Sequence, residues 1–294
     1  MSQANFTSLV ISGGAVKVIA TLGCLKFFEE KQLLRNIKNF VGTSAGAVIC
    51  FFIILGYSSV EILDFMKDIF NDDSLSRVLH VDDIFAMTST LGISDGKALI
   101  KLFQKILYQK TKHLDITFLD LAKKFGKNLV VSVSNITHEQ EEFLNVDTTP
   151  DMSVIDALRM TCSIPLLFTP VKWNGCMYVD GALYNNFPMS YFIKQGHVFA
   201  DIIGINIQSV NYQNITDIMS YISFLLNTTM HHMNDLQIKT MHLHEKQNNI
   251  ITIKMKDTPW ISQGKLCIAL KEAELHEVMQ QGYLQAKEVC GMTD

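Results

Sequence analysis

The chain has 294 residues, 48% hydrophobic and 18% charged, a composition that buries a full core and excludes a disordered, collagen-like or highly charged solvating protein. Its 25 Lys and Arg against 29 Asp and Glu leave a formal charge of −4, so no basic field exists to hold nucleic acid phosphates. The cysteines Cys24, Cys50, Cys162, Cys176, Cys267 and Cys290 lie far apart without CxxC spacing and read as small core residues of a reducing compartment. No basic residue precedes an apolar run at the N-terminus, and Leu9-Val10-Ile11 is too short for a signal-peptide core. An intracellular, cytoplasmic protein is expected, in which the sequons at Asn5, Asn135, Asn214 and Asn227 carry no meaning.

Residues 6–12 form a strand pattern ending at Gly13-Gly14, and residues 15–31 read as a helix. A second short strand over 37–41 runs through Gly42-Thr43-Ser44-Ala45-Gly46 into an apolar helix over 47–55. The 22 uncharged residues between Lys38 and Glu61 approach the roughly 20 that a membrane span needs. Only Ala47 to Leu55 are solidly apolar, however, which fits a buried core helix better. Further helices are expected over 64–70, 96–109 and 153–161, and strands over 129–135 and 202–207. Residues 71–94 are polar and irregular, a lid or a long surface connection. The last third reads as a helix over 215–245 with Met-rich faces, a strand over 250–255 and a helix over 263–289. Strands alternating with helices predict an α/β fold of three layers with a mostly parallel central sheet. No linker or repeat divides the chain, so residues 1–294 are read as a single domain with a C-terminal helical extension over 208–294.

Gly42-Thr43-Ser44-Ala45-Gly46 is a G-x-S-x-G sequence placed where a strand ends and a helix begins. There the sharp turn projects the serine hydroxyl, the glycines let strand and helix pack closely, and the helix N-terminus faces developing negative charge. A Ser-Asp-His triad is disfavoured, because Ser44 follows only one complete strand–helix unit and none of the nine histidines sits in an evident loop signature. The pairs His231-His232 and His242-x-His244 lack the carboxylate or cysteine partners of a metal site. A different base is visible in Tyr178-Val179-Asp180-Gly181-Ala182, an aspartate at a strand end before a flexible turn.

Taken with the turn Ser12-Gly13-Gly14-Ala15-Val16-Lys17-Val18, these pieces resemble the patatin-like phospholipase family. Other stretches follow in family order: Gly92-Ile93-Ser94-Asp95-Gly96, Thr117-Phe118-Leu119-Asp120-Leu121, residues 156–170, and Val179-Asp180-Gly181-Ala182 onward to Pro188. The resemblance covers about residues 9–207. It implies a serine–aspartate dyad with Ser44 as nucleophile and Asp180 as base, and calcium-independent hydrolysis of phospholipid acyl esters through an acyl-enzyme. It also implies an oxyanion hole of backbone N–H groups on Gly13, Gly14 and Ala15. No cofactor and no metal are expected, and the partners implied are a phospholipid or other acyl-ester lipid and a peripheral membrane surface. With no polybasic cluster, such contact would rest on apolar surface.

The family's turn carries glycine where Ala15 and Val18 stand here. If the third position needs φ > 0, Ala15 costs energy; if not, its N–H still donates. Lys17 occupies the basic position and is a candidate for holding the loop or meeting substrate. Arg159 is expected to pin its helix to a nearby carboxylate, Pro165 and Pro170 to shape the connection to Asp180, and Leu167 and Phe168 to line an acyl pocket with apolar residues of 71–94. Two other readings stay open on the same scaffold: a catalytically weak lipid- or partner-binding protein, and a soluble esterase or thioesterase.

Overall fold

The computed structural model describes residues 5–70, 89–210, 215, 218–242, 249–256, 261–262, 265–266 and 272–291. Strand β1 (Ser8–Ile11) leads through Gly13-Gly14 into a 3-10 turn (Ala15–Val18) and helix α1 (Ile19–Glu30). The helix expected from residue 15 therefore opens as a 3-10 turn, because Ala15 takes the left-handed region with φ 47°. Strand β2 (Asn39–Thr43) ends at Ser44, where helix α2 (Ala45–Ile54) starts. Gly46 to Ile54 are all buried, as an apolar core helix requires, and among the described residues no helix is long and apolar enough to cross a membrane.

Helix α3 (Ser59–Phe70) begins five residues before the expected start at 64. Ser58 and Glu61 form a capping box: the Ser58 N–H donates to Glu61 Oε2 at 2.7 Å, and the Glu61 N–H donates to Ser58 Oγ at 3.3 Å. Then come β3 (Gly92–Ser94), α4 (Lys97–Thr111), α5 (Phe118–Phe125), β4 (Asn128–Asn135), β5 (Gln140–Leu144) and α6 (Val154–Thr161). They lead to the strands β6 (Leu166–Phe168), β7 (Val171–Trp173) and β8 (Cys176–Asp180) and to helix α7 (Met189–Lys194). The chain continues through β9 (Ile202–Val210), α8 (Ile218–His242), β10 (Ile250–Lys256) and α9 (Glu272–Val289). Ile261–Ser262 and Lys265–Leu266 pair as two short antiparallel strands, which overturns the helix expected from residue 263.

The main sheet has the order β10-β9-β1-β2-β4-β8-β7 and is parallel from β10 to β4. Strands β8 and β7 join antiparallel, and β5 pairs antiparallel with β4. Alternating side chains feed two cores. Leu9, Ile11, Phe40, Val131 and Ile205 pack with α1, α2 and α9, whereas Val10, Val41, Val130 and Ile202 pack against Phe187, Phe192 and Ile238. The expected three layers are thus present, with a mostly parallel sheet between them.

The last third of the chain is built into these layers rather than appended as helices. β10 forms the edge of the main sheet beside β9, and α9 packs on α1. Their backbones meet at two glycines: a Cβ on Gly23 would collide with the Met279 carbonyl, and one on Gly282 with the Ala20 carbonyl. Gly282→Val is expected to destabilise the protein by about 3 kcal/mol, since overpacked backbone contacts cannot relax by rotamer change. Chemical denaturation with circular dichroism checks this, and an unchanged midpoint contradicts it.

Candidate active site

The register of β4 decides where the candidate site lies. Val131 and Ser132 pair both with β2 and with β5, so those strands lie on opposite edges of β4. Residues 133–135 pair with both β5 and β8, which puts β8 on the same edge as β2, beyond its end. β2 runs along that edge to Thr43 opposite Ser132, and β8 returns along it to Asp180 opposite Val133. The two strand ends therefore meet. The Ser44 hydroxyl donates to Asp180 Oδ2 at 2.6 Å, and the two residues are 5% and 3% exposed.

Ser44 pays for this position with φ 53° and ψ −130°, a conformation that L-residues rarely hold without support. Three contacts over-determine it. A Cβ on Gly42 would lie 2.5 Å from the Ala47 nitrogen, and one on Gly46 would strike the Ser12 carbonyl, so both G-x-S-x-G glycines are there for close approach. The Ser44 N–H donates to Thr161 Oγ1 at 2.8 Å, and the Thr161 hydroxyl donates to the Ser132 carbonyl at 2.6 Å. Asp180 is held just as firmly: its N–H donates to the Ser163 carbonyl at 2.9 Å, and its Oδ1 accepts the Ala182 N–H at 2.9 Å. Thr161 ends α6 and Ser163 lies just beyond it, and neither had a role in the sequence reading beyond its place in a quoted motif.

Burial pushes the Asp180 carboxyl up to about 7, against the lowering effect of the Ser44 hydroxyl and the Ala182 N–H. Burial likewise raises the neighbouring Cys162 thiol, and the Asp180 charge adds to the effect, so this cysteine stays protonated. Ser44 stands between two cavities. The polar one, of about 60 Å³, is lined by Gly13, Gly14, Ala15, Lys17, Asp180 and Asn186, with Pro165 and the α8 residues Asn227, Met230 and His231 also on its wall. The apolar one, of about 130 Å³, runs past Ala45, Val48, Phe52, Phe103, Leu167 and Phe168. Leu167 and Phe168 are therefore where an acyl pocket was expected; residues 71–88 lie outside the described residues.

Of the three amides expected to form an oxyanion hole, Gly13 donates its N–H to the Asn186 carbonyl at 3.1 Å, whereas Gly14 and Ala15 have no backbone acceptor among the described residues. The left-handed Ala15 shows why glycine suits that place. Lys17 lines the polar cavity. Arg159 is buried and pins α6 through two carbonyls and a hydroxyl rather than the expected carboxylate: it donates to Asp95 O at 3.1 Å, Thr169 O at 2.9 Å and Ser163 Oγ at 2.5 Å. Among the described residues no group of three or more His, Cys, Asp or Glu is placed to hold a metal.

The model of the patatin-like phospholipase family matches residues 9–193, and the strand-end serine and aspartate fall inside that range. The chain belongs to the patatin-like phospholipase family. A probable lipid hydrolase of Invertebrate iridescent virus 6 is 32% identical over 191 residues, 64% of each chain. Triacylglycerol lipase 4 of Saccharomyces cerevisiae is 26% identical over 68% of this chain and 24% of its own length. The chain spans about 64% of the length of the viral relative and no more of the other lipases it matches. Among solved structures, VipD from Legionella pneumophila superposes with TM-score 0.62 at 16% identity, covering 98% of this chain and 67% of its own. The type III effector ExoU gives 0.55 at 14%, covering 98% and 53%. These two share the fold of this patatin-like chain.

A buried carboxyl with a raised pKa favours the protonated folded state. Folding stability from Asp180 is full below the unfolded value near 4, is lost as pH rises toward about 7, and stays lost above it. Asp180→Asn, which keeps the shape without the charge, is therefore expected to melt a few degrees above wild type at pH 8 and level with it at pH 4. Differential scanning calorimetry at both pH values checks this, and a gap that is the same at both contradicts it.

Proposed function

We propose that this patatin-like protein is a lipid acyl hydrolase in which Ser44 is the nucleophile and Asp180 the base. The observation that carries the reading is the 2.6 Å Ser44–Asp180 hydrogen bond at the mouth of an apolar cavity. The acyl chain of a phospholipid-type ester lies in that cavity, which brings its carbonyl carbon to Ser44 Oγ. As Oγ attacks, its proton passes to Asp180 Oδ2, and the tetrahedral oxyanion faces the Gly14 and Ala15 N–H groups. Collapse breaks the ester bond, and the leaving alcohol takes the proton from Asp180. Water then attacks the acyl-enzyme while Asp180 accepts its proton, and the second collapse returns that proton to Ser44 as the fatty acid leaves. A base with a pKa near 7 is matched to this work at neutral pH.

Substrate of this kind is met at a peripheral membrane surface. Supporting this, α8 exposes Ile218, Tyr221, Leu225 and Leu236 on the outside of the same helix whose Asn227 and Met230 line the polar cavity. No Lys, Arg, Asp or Glu occurs from Ile218 to Asn234, so contact with lipid would be apolar in kind.

Acyl release from phospholipid vesicles in the presence of a chelator tests the reading. Ser44→Ala and Asp180→Asn are each expected to lower the rate at least about a thousandfold while remaining folded. In wild type, kcat/KM should fall about tenfold per pH unit below 7 and level off above it, because only the ionised Asp180 accepts the proton. Retained hydrolysis in Ser44→Ala ends the proposal.

A further inference from the structure

Helix α8 buries an unusual set of side chains. Of its described buried residues Ile238 alone is apolar, and Ser220, Ser223, Asn227 and Asn234 are polar, while Ile218, Tyr221, Leu225 and Leu236 face outward. A helix docked for packing alone buries its apolar stripe instead, so the polar part of this inward row answers to something other than a core. Toward the C-terminal end that something is attachment. Asn234 Nδ2 donates to Asn206 Oδ1 at 3.4 Å, Gln237 Nε2 donates to the Tyr184 carbonyl at 3.1 Å, and Gln208 Nε2 donates to Asp235 at 2.9 Å.

Asn227 is different. It is 4% exposed, its Nδ2 has no hydrogen-bond partner among the described residues, and it stands in the wall of the cavity that holds Ser44 and Asp180. A buried amide donor left without an acceptor costs stability that an apolar residue of similar size would not. Among the described residues Asp180 is the one carboxylate on this cavity's wall, and Lys17 lines it beside the Gly14 and Ala15 amides, which have no backbone acceptor there. A wall made of donors fits a ligand that brings acceptors.

We infer that Asn227 is a substrate-binding residue whose side-chain amide donates to an oxygen of the bound lipid, either a phosphate oxygen or an ester oxygen next to the scissile bond. The inference rests on the reading of Ser44 and Asp180 as a lipid hydrolase site and adds to it a specificity contact from α8, beyond the family-matched residues 9–193. In this arrangement α8 has two lipid-facing sides, an outer apolar one and an inner donor that fixes the polar part of the substrate relative to Ser44.

The test is a binding measurement, so that it stands apart from turnover. In the Ser44→Ala protein, monomeric dihexanoyl phosphatidylcholine and dihexanoylglycerol are titrated by calorimetry with and without Asn227→Leu. The expected result is a loss of about tenfold in affinity for the phospholipid, with a melting temperature equal to or above that of the parent. Loss for the phospholipid alone puts the acceptor on the phosphate, and equal loss for both lipids puts it on the ester. Asn227→Ser, which keeps a donor, should recover part of the affinity. Affinities within twofold of the parent for both lipids overturn the inference. So does a lowered melting temperature with no recovery in Asn227→Ser, the signature of a packing role. Failure of both lipids to bind the Ser44→Ala parent also overturns it, while the vesicle assay with the dyad variants decides the underlying reading separately.

Discussion

One edge of β4 carries two strands that approach from opposite directions, and everything in the site depends on where they stop. Thr43 ends opposite Ser132 and Asp180 opposite Val133, so the next residue of β2 has nowhere to go but into contact with the end of β8. The sharp turn at Ser44 follows from that collision course, and the glycines on either side follow from the turn, because α2 must start at once beneath it. Helix α6 locks the junction from a third direction. Its final threonine braces the serine backbone, and the following loop, through the Ser163 carbonyl, braces the aspartate backbone.

This construction supports the proposed reading in which two residues do what a triad does with three. An imidazole base swings on its side chain and needs a carboxylate to fix its tautomer and direction. Asp180 needs no such partner, since its backbone is part of the sheet and one carboxylate oxygen is occupied by the Ala182 N–H, leaving the other aimed at Ser44. The burial that raises the Asp180 carboxyl is a burden on the folded state, and the backbone of Ser44 adds strain to it. Such concentrations of cost are tolerated where the surrounding sheet is rigid enough to impose them.

Much of this was legible in the sequence because it rests on local signals. The Val- and Ile-rich strands, the small-residue turns and the apolar run of α2 each carry their own period, and the six quoted stretches keep family order. What escaped reading was set by long-range pairing. Strand β5 is polar and only half-buried along most of its length, so no alternation marks it. The early start of α3 did have a signal, the Ser58–Glu61 capping box, which hydrophobic periodicity overlooks. The occupied Gly13 amide depends on Asn186, 173 positions away, and no inspection of the glycine turn could reveal it. Ala15 left its own backbone angle open until the fold showed it to be left-handed. Asn227 was marked in the sequence only as a sequon, and its place in the cavity wall comes from the fold.

The crossing of Gly23 with Gly282 has a kinetic side. It joins the first helix to the last described one, and the Ser44–Asp180 hydrogen bond bridges positions 44 and 180, so both rest on contacts between distant parts of the chain. Loops of that length close slowly, and the contacts that reward their closure come late. Through this interval α2, buried from Gly46 to Ile54 in the finished protein, is covered only in part by its neighbours in sequence. The helix that starts at Ser44 is therefore also prone to intermolecular association during folding, and refolding yield should depend on protein concentration more steeply than equilibrium stability would suggest.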